Sequence, residues 1–447
     1  MVAAVALYPS MGRYDRVAIA VSLLAFVAFA GGLSLDWLWR WTGADSATRM
    51  SRMLLAFAAV LCVIGALEPR FLYVTRFRTS WLYLASQGCA AVLLAAALVG
   101  HCRRKLEQNG PSPWPIRLTL TAVVLLVASH ALVPVFSPVP YIDSWSLQQE
   151  AADFLASGRN PYSQVYTQIY PQERYGYVSH FGYLPLVGLW TLPFAKLLGD
   201  VRFGYVVADA LAAWLLLHIA GGKRRDPAHR LTGLALVAAF AANPMQAFVI
   251  ENCWSEPLLF LTACFALHLA AAKHTAAGMG YALLVAAKQT NLLFVPLVLT
   301  AKAPLKTLLV AAVIALATVL PFAVLAPQAF LQSTVLVFAA MPPRTDGFSL
   351  WTVAFNEAGL QLPPLFTLLS LAAPFGMAVI WARRGQLDRA LAAVVLALWA
   401  LFLTARQSFT NYHYFAHALL LLLVAVRLAG QVQTLVPAKA DHQPQSH

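Results

Sequence analysis

Residues 118–142 read LTLTAVVLLVASHALVPVFSPVPYI, without one Asp, Glu, Lys or Arg; Arg117 precedes the run and Asp143 follows it. A helix of roughly 20 apolar residues crosses the hydrocarbon core of a bilayer. Its backbone polar groups must be satisfied within the segment, which favours a helix over any open strand. The run therefore predicts a membrane helix that emerges at Asp143. The same absence of charge recurs at 17–35, 79–100, 231–250, 307–343 and 358–382. Over the whole chain of 447 residues, 60% are hydrophobic and 11% charged, against about 25% charged in soluble domains. A spanning barrel would show alternating segments instead of continuous runs. The expected fold class is all-α: a polytopic bundle of about 12–14 membrane helices, some short or re-entrant. A large outer loop carries an interfacial helix.

The formal charge is +13, from 31 basic and 18 acidic residues. Its placement excludes a nucleic-acid partner, because the basic residues cluster in short connectors, where they control topology. Arg103, Arg104, Lys105 and Arg117 flank one connector; Lys223, Arg224, Arg225 and Arg230 flank another; Arg383, Arg384 and Arg389 mark a third. All three are assigned to the cytoplasm. Segment 137–182 holds Asp143, Glu150, Asp153 and Glu173 against Arg159 and Arg174, and is assigned to the outside. Two places strain this count. Two apolar stretches, 183–198 and 201–220, lie where an odd number of crossings is required, and the first contains Pro185 and Pro193. Arg70, Arg76 and Arg78 fall on the outer side. The five cysteines lie in or beside apolar runs without a CxxC pair and read as small hydrophobes. The first apolar run reads as a retained span and not a signal peptide.

Segment 276–301 lies between Lys273 on one side and Lys302 and Lys306 on the other. If both ends are cytoplasmic, the segment must enter and return, and two full crossings need about 40 residues. The shorter segment predicts a buried hairpin of two half-length helices with Lys288, Gln289, Thr290 and Asn291 near its apex. The alternative is one span with Lys288 reaching an interface. A buried ammonium is costly without a partner.

The outer loop opens with Asp143, and 144–157 suits a helix. Trp145, Ala152 and Leu155 can share an apolar stripe, and Gly158 can stop the helix. Asp143 has two readings. It is an N-cap, a position that favours Asp, or a general base tuned by burial at the membrane–water boundary. Glu150 and Asp153 read as solvated. Tyr162, Tyr166, Tyr170, Tyr175, Tyr177 and Tyr183, with His180, make either an interfacial aromatic belt or a surface for a sugar or prenyl chain. Glu251, Glu256, Arg344, Asp346, Arg406, Gln407, Asn411, Tyr412, His413 and His417 are placed towards the same side. His413 and His417 have i,i+4 spacing, which suits metal ligands. No HExxH accompanies them, so no cofactor is expected and a divalent metal is not favoured.

In their order these pieces resemble the GT-C superfamily of membrane glycosyltransferases, which use polyprenyl-phosphate sugar donors at the outer face. The resemblance rests on Asp143 opening the loop and on Gly158-Arg-Asn160-Pro161-Tyr162. It continues through His180-Phe-Gly-Tyr-Leu-Pro185-Leu, Glu256-Pro-Leu-Leu, Ala-Ala-Lys288-Gln with Pro296, and Asn411-Tyr-His413-Tyr-Phe. It covers about 118–430, and the Asn-Pro-Tyr and Tyr-Leu-Pro-Leu elements look closest to the bacterial mannosyltransferase branch. It departs in its extra N-terminal spans, in Leu184-Pro185 where a doubled proline is usual, and in lacking a DxD or ExD pair at Asp143.

The resemblance implies a domain of extra helices at 1–116, a catalytic domain at 117–430 and a cytoplasmic tail at 431–447. It implies Asp143 as the acceptor base, with Lys288, Arg344 and Arg406 at the donor phosphate. His180, Tyr183, Glu256, Gln289, Tyr412 and His413 would contact substrate. Membrane lipid, the donor and a lipid or glycan acceptor are the implied partners, in a bacterial inner membrane with the site facing outward. The rival readings are a transporter or lipid flippase with a midplane site around Lys288, and a structural membrane subunit.

Overall fold

A computed structural model describes residues 8–34, 44–103, 113–171, 180–221, 227–271, 276–341 and 344–435. The chain is an all-α bundle. Among the described residues the sole β pairing is an isolated bridge between Arg13 and Gly347. Nine helices there are long and apolar enough to cross a membrane, or ten if the bent pair Pro227–Ala241 and Pro244–Glu251 counts as one span. Four shorter apolar helices complete the set: Pro185–Leu198, Glu256–Ala271, Ala277–Ala287 and Gln289–Thr300. The chain is a multi-pass membrane protein.

Burial sorts these helices into centre and rim. The spans at Leu387–Thr404 and Thr410–Ala429 are 78% and 67% buried, whereas Pro304–Leu325 is 6% buried although it is the most apolar. A helix hydrophobic all round with almost no protein cover faces lipid. One apolar core runs from Leu33 and Leu54 near the N-terminus to Leu428. It crosses the 116/117 boundary: Phe26 meets Trp399 edge to face at 5.9 Å, and Thr232 Oγ1 donates to the Ala47 carbonyl at 3.1 Å. The N-terminal helices share the core of the rest of the chain.

Pro185–Leu198 has 14 residues, about 21 Å of helix against a core of about 30 Å. It is shorter than a full span, unlike the 20-residue Arg202–Gly221 that follows it.

The segment after residue 276 doubles back. Helix Ala277–Ala287 ends at Lys288, whose backbone is extended (φ −159°, ψ 141°), and a 3₁₀ helix, Gln289–Thr300, follows. Tyr281 lies against Thr300, and Asn291 Nδ2 donates to the Leu284 carbonyl at 2.8 Å. A single span would hold Tyr281 and Thr300 tens of ångströms apart. The hairpin is tightly inserted: a Cβ at Gly280 would meet Ala266 Cα at 2.5 Å, so only glycine allows that close approach to Glu256–Ala271.

The helix expected at 144–157 spans Asp143–Ala156, and Gly158 follows in the left-handed conformation (φ 72°) that suits glycine. Ser144, Leu147, Gln148, Ala151 and Ala152 are its buried residues. Of the expected Trp145–Ala152–Leu155 stripe, Ala152 is buried and Trp145 and Leu155 are half-buried, so the helix packs into protein along a wider face. Polar Ser144 and Gln148 are tolerated inside because each is bonded: Ser144 Oγ to the Asn252 carbonyl, and Gln148 Nε2 to the Cys253 carbonyl at 2.7 Å. Glu150 and Asp153 stay at the surface, where Asp153 pairs with Lys196 at 2.6 Å.

Candidate active site

A cavity of about 200 Å³ opens where the N-terminus of Asp143–Ala156, the start of Glu256–Ala271, the hairpin apex and the start of Thr410–Leu435 converge. Asp143, His180, Tyr183, Glu256, Lys288, Gln289 and Tyr412 all line it. These seven residues come from sites spread over some 270 positions, and each was singled out from sequence. Trp254, Phe338, Met341, Phe409 and Asn411 supply much of the remaining wall.

Asp143 is the first residue of its helix, and its Oδ1 accepts the Ser144 backbone N–H at 2.7 Å. The N-cap position itself is held by Ile142, with no side-chain cap bond, so the N-cap reading of Asp143 is corrected: it is the first helical residue, where a negative charge suits the helix N-terminus. The carboxyl faces the cavity, which leaves it open to the chemical reading. Burial pushes its pKa up from the ordinary value, and the Ser144 N–H and the nearby Arg344 guanidinium offset part of that rise. A carboxylate so placed is more basic than one in water, which suits a general base.

Lys288 Nζ lies 2.7 Å from Glu256 Oε1, and Asn411 Nδ2 donates to the same oxygen at 2.9 Å. The Tyr412 ring sits 4.4 Å from Nζ, within cation–π range. The partner that a buried Lys288 needs is supplied from within the chain by Glu256. Gln289 Nε2 reaches across to the Thr334 carbonyl at 2.9 Å, tying the apex to a π-helical turn, Gln332–Leu336. Such turns occur often beside functional sites.

Three expected site residues stand outside the cavity wall. His413 is fully buried, with Nε2 3.1 Å from Ser408 Oγ and 3.0 Å from the Phe348 carbonyl. It fastens two loops behind the cavity because the helix turns its side chain away from Tyr412. Arg344 forks onto Asp346 at 2.8 and 2.9 Å and lies 4.9 Å from the Phe409 ring. Asp346 is itself buried enough to be pushed up, yet the guanidinium outweighs this and holds its carboxyl below the usual value. Arg344 acts on the site through its field at Asp143. Arg406 is exposed on the loop before the last helix. Among the described residues no group of three or more His, Cys, Asp or Glu is arranged to hold a metal.

Ser144 and Gln148 matter most among the residues that sequence patterns missed. Asn411, placed on this side from sequence but given no role, lines the cavity beside Tyr412. Tyr175, Tyr177, Glu173 and Arg174 lie outside the described residues, as does the tail after 435.

An apolar groove of about 510 Å³ lies between helices Pro185–Leu198, Arg202–Gly221, Glu256–Ala271 and Ala277–Ala287. Leu186, Trp190, Trp214, Leu261, Phe265 and Leu283 are among its walls. Along Glu256–Ala271 it extends from Leu258 to Leu269, about 17 Å at the helical rise. Its Leu258 end lies two residues from Glu256, and its Leu283 wall belongs to the helix that ends at Lys288.

No protein-family model matches the chain, and no curated protein matches it in sequence.

Proposed function

We propose that this chain is a membrane glycosyltransferase of the GT-C kind. It moves a sugar, mannose in the closest resemblance, from a polyprenyl-phosphate donor to a lipid or glycan acceptor at the outer face of a bacterial inner membrane. The observation that carries the reading is the meeting of Asp143 and Lys288 in one cavity beside an apolar groove. A donor with a charged head and a long apolar chain needs both compartments, and it must arrive from the bilayer.

In this reading Asp143 takes the proton from the acceptor hydroxyl. The new C–O bond forms at the anomeric carbon while the bond to the phosphate oxygen breaks. Negative charge grows on the leaving phosphate, and an ammonium fixed nearby stabilises it more in the transition state than in the ground state. Tyr183, Tyr412 and Trp254 offer faces and edges to a sugar, and His180 and Gln289 offer polar contacts. Arg344 tunes Asp143 from outside the cavity.

The test is sugar transfer by the purified chain in liposomes, using a panel of short-chain prenyl-phosphate sugars. Transfer by the wild type, with loss in Asp143→Asn, is expected. A wild type that turns over no donor, or an Asn variant as fast as the wild type, would sink the reading. The broken helices at Lys288 and at Asn243 are also features of transporters. Donor flipping without transfer in the same liposomes would favour that alternative.

A further inference from the structure

The cavity is wrongly charged for an anion. Its charged lining side chains among the described residues are Asp143, Glu256 and Lys288, so two carboxylates face one ammonium. That ammonium is already engaged by Glu256 Oε1 at 2.7 Å, and Asn411 holds the same oxygen at 2.9 Å. The second oxygen, Oε2, is buried and accepts no hydrogen bond from the described residues, and Glu256 is 1% exposed. A phosphodiester brought to Lys288 would place a third negative charge beside these two, where little water screens it. An unsatisfied carboxylate oxygen in such a place is itself costly.

We infer that binding of a lipid phosphodiester at Lys288 is coupled to uptake of one proton by Glu256, so that the ligand's phosphate replaces the Glu256 carboxylate as the partner of the ammonium. The inference rests on the assignment of Lys288 to a donor phosphate. The proton comes from solvent and lands on Oε2, the free oxygen. Oε1 remains an acceptor for Asn411, and the new O–H can donate to a ligand oxygen. The ligand adds one negative charge and the proton adds one positive charge, so the cavity's total is unchanged. The other groups that bear on Glu256 are Lys288 from the hairpin, Tyr412 and Tyr414 from the last helix, Tyr183 from the outer loop and Tyr205 from Arg202–Gly221. Lys288 is the one cation among them, and phenols titrate near pH 10 in water. Asp143 and His180 share the cavity and are the rival proton acceptors.

Calorimetry on the full chain in detergent tests this with farnesyl methyl phosphate, a diester whose single charge does not titrate near neutral pH. Two buffers of equal pH and different ionisation enthalpy report the protons exchanged. The wild type should take up about one proton per ligand, with affinity falling about tenfold per pH unit as pH rises. The sign follows because the complex holds more protons than the free protein. Glu256→Gln should bind without uptake and without that pH dependence. The wild-type buffer comparison stands even if the variant folds poorly. Lys288-dependent binding with no uptake overturns the coupling alone. So does uptake that persists in Glu256→Gln and vanishes in Asp143→Asn or His180→Gln. No binding by the wild type, or equal binding by wild type and Lys288→Met, removes the phosphate assignment and the inference with it.

Discussion

Gln148 Nε2 donates to the Cys253 carbonyl at 2.7 Å, joining the helix that begins at Asp143 to the turn that precedes Glu256. The same amide nitrogen bonds the Ser144 carbonyl at 3.0 Å, and Tyr205 donates to Gln148 Oε1. Cys253 sits at φ 54°, a left-handed conformation uncommon for a residue with a side chain. The bonds from Ser144 and Gln148 hold that turn in place, and with it the two carboxylates of the cavity. Gln148→Leu should therefore cost about 1–3 kcal/mol for each buried partner left unsatisfied. Thermal unfolding in detergent measures the loss. The proposed transfer activity should fall further than stability explains, and a variant as stable as the wild type would show that this tie is dispensable.

Asp143→Asn separates chemistry from folding. If Asp143 is the proposed base, its loss should reduce turnover by about 10²-fold or more. Stability should move the other way. Burial raises the pKa of Asp143 in the folded chain, so the folded state binds its proton more tightly than the unfolded state does. That contribution is fully present below the unfolded value and is lost as pH rises through the raised folded value. Wherever it is ionised in this buried place, the group is a burden that asparagine removes. Melting temperatures across pH should thus decline towards neutrality more steeply in the wild type than in Asp143→Asn. Parallel curves would place Asp143 in water.

What could be read from sequence was local. The break at Lys288 follows from the spacing of Lys273, Lys288 and Lys302 against helix length, and Gly158 marks its helix end by its own conformational freedom. Asp143 stands at the end of an uncharged run. Partners were not legible. Lys288 and Glu256 are 32 residues apart, and nothing in either segment names the other. Ser144 and Gln148 carry no signal of their own, because what holds them inside is their bonds to the 252–253 carbonyls, far along the chain. His413 failed for the opposite reason: it follows Tyr412 in sequence, but one helical step rotates its ring behind the wall.

Lys288→Met should destabilise the chain as well as the proposed donor site. Removing one member of a buried pair leaves the other charge uncompensated, at roughly 3–5 kcal/mol. Glu256 is the more buried partner, at 1% side-chain exposure against 19% for Lys288, so it bears that penalty. Lys288→Met combined with Glu256→Gln should recover part of the loss. A double-mutant cycle by thermal unfolding measures the coupling, and additive losses would mean that the pair does not form in the membrane.

Asn160-Pro161-Tyr162 has a structural task. Asn160 Nδ2 donates to the Phe322 carbonyl at 3.0 Å, near the end of the lipid-facing helix Pro304–Leu325. Tyr162 donates to the Tyr183 carbonyl at 2.7 Å and packs its ring 4.7 Å from that of Phe330. The 160–162 segment is thereby pinned to Phe322 and Tyr183. Tyr162→Phe should cost about 1 kcal/mol and Asn160→Ala a similar amount. Both should speed proteolysis within 157–171, and unchanged cleavage would count against the pin.

The apolar groove makes a prediction that depends on chain length. Leu283 is part-buried on its wall, on the helix that ends at Lys288. Leu283→Trp would add aromatic volume in the groove without touching any charged group in the cavity. If the donor's prenyl chain lies there, the variant should raise KM for long-chain donors and leave donors with only a few prenyl carbons nearly unaffected. A uniform loss across chain lengths would point to distortion of the hairpin. No loss with any donor would show that the chain leaves the cavity by another route. Trp also has a precedent at this lining, since Trp190 and Trp214 already stand there. A third indole is compatible with lipid contact, and a defect confined to long chains would therefore report occupancy of the groove by the donor.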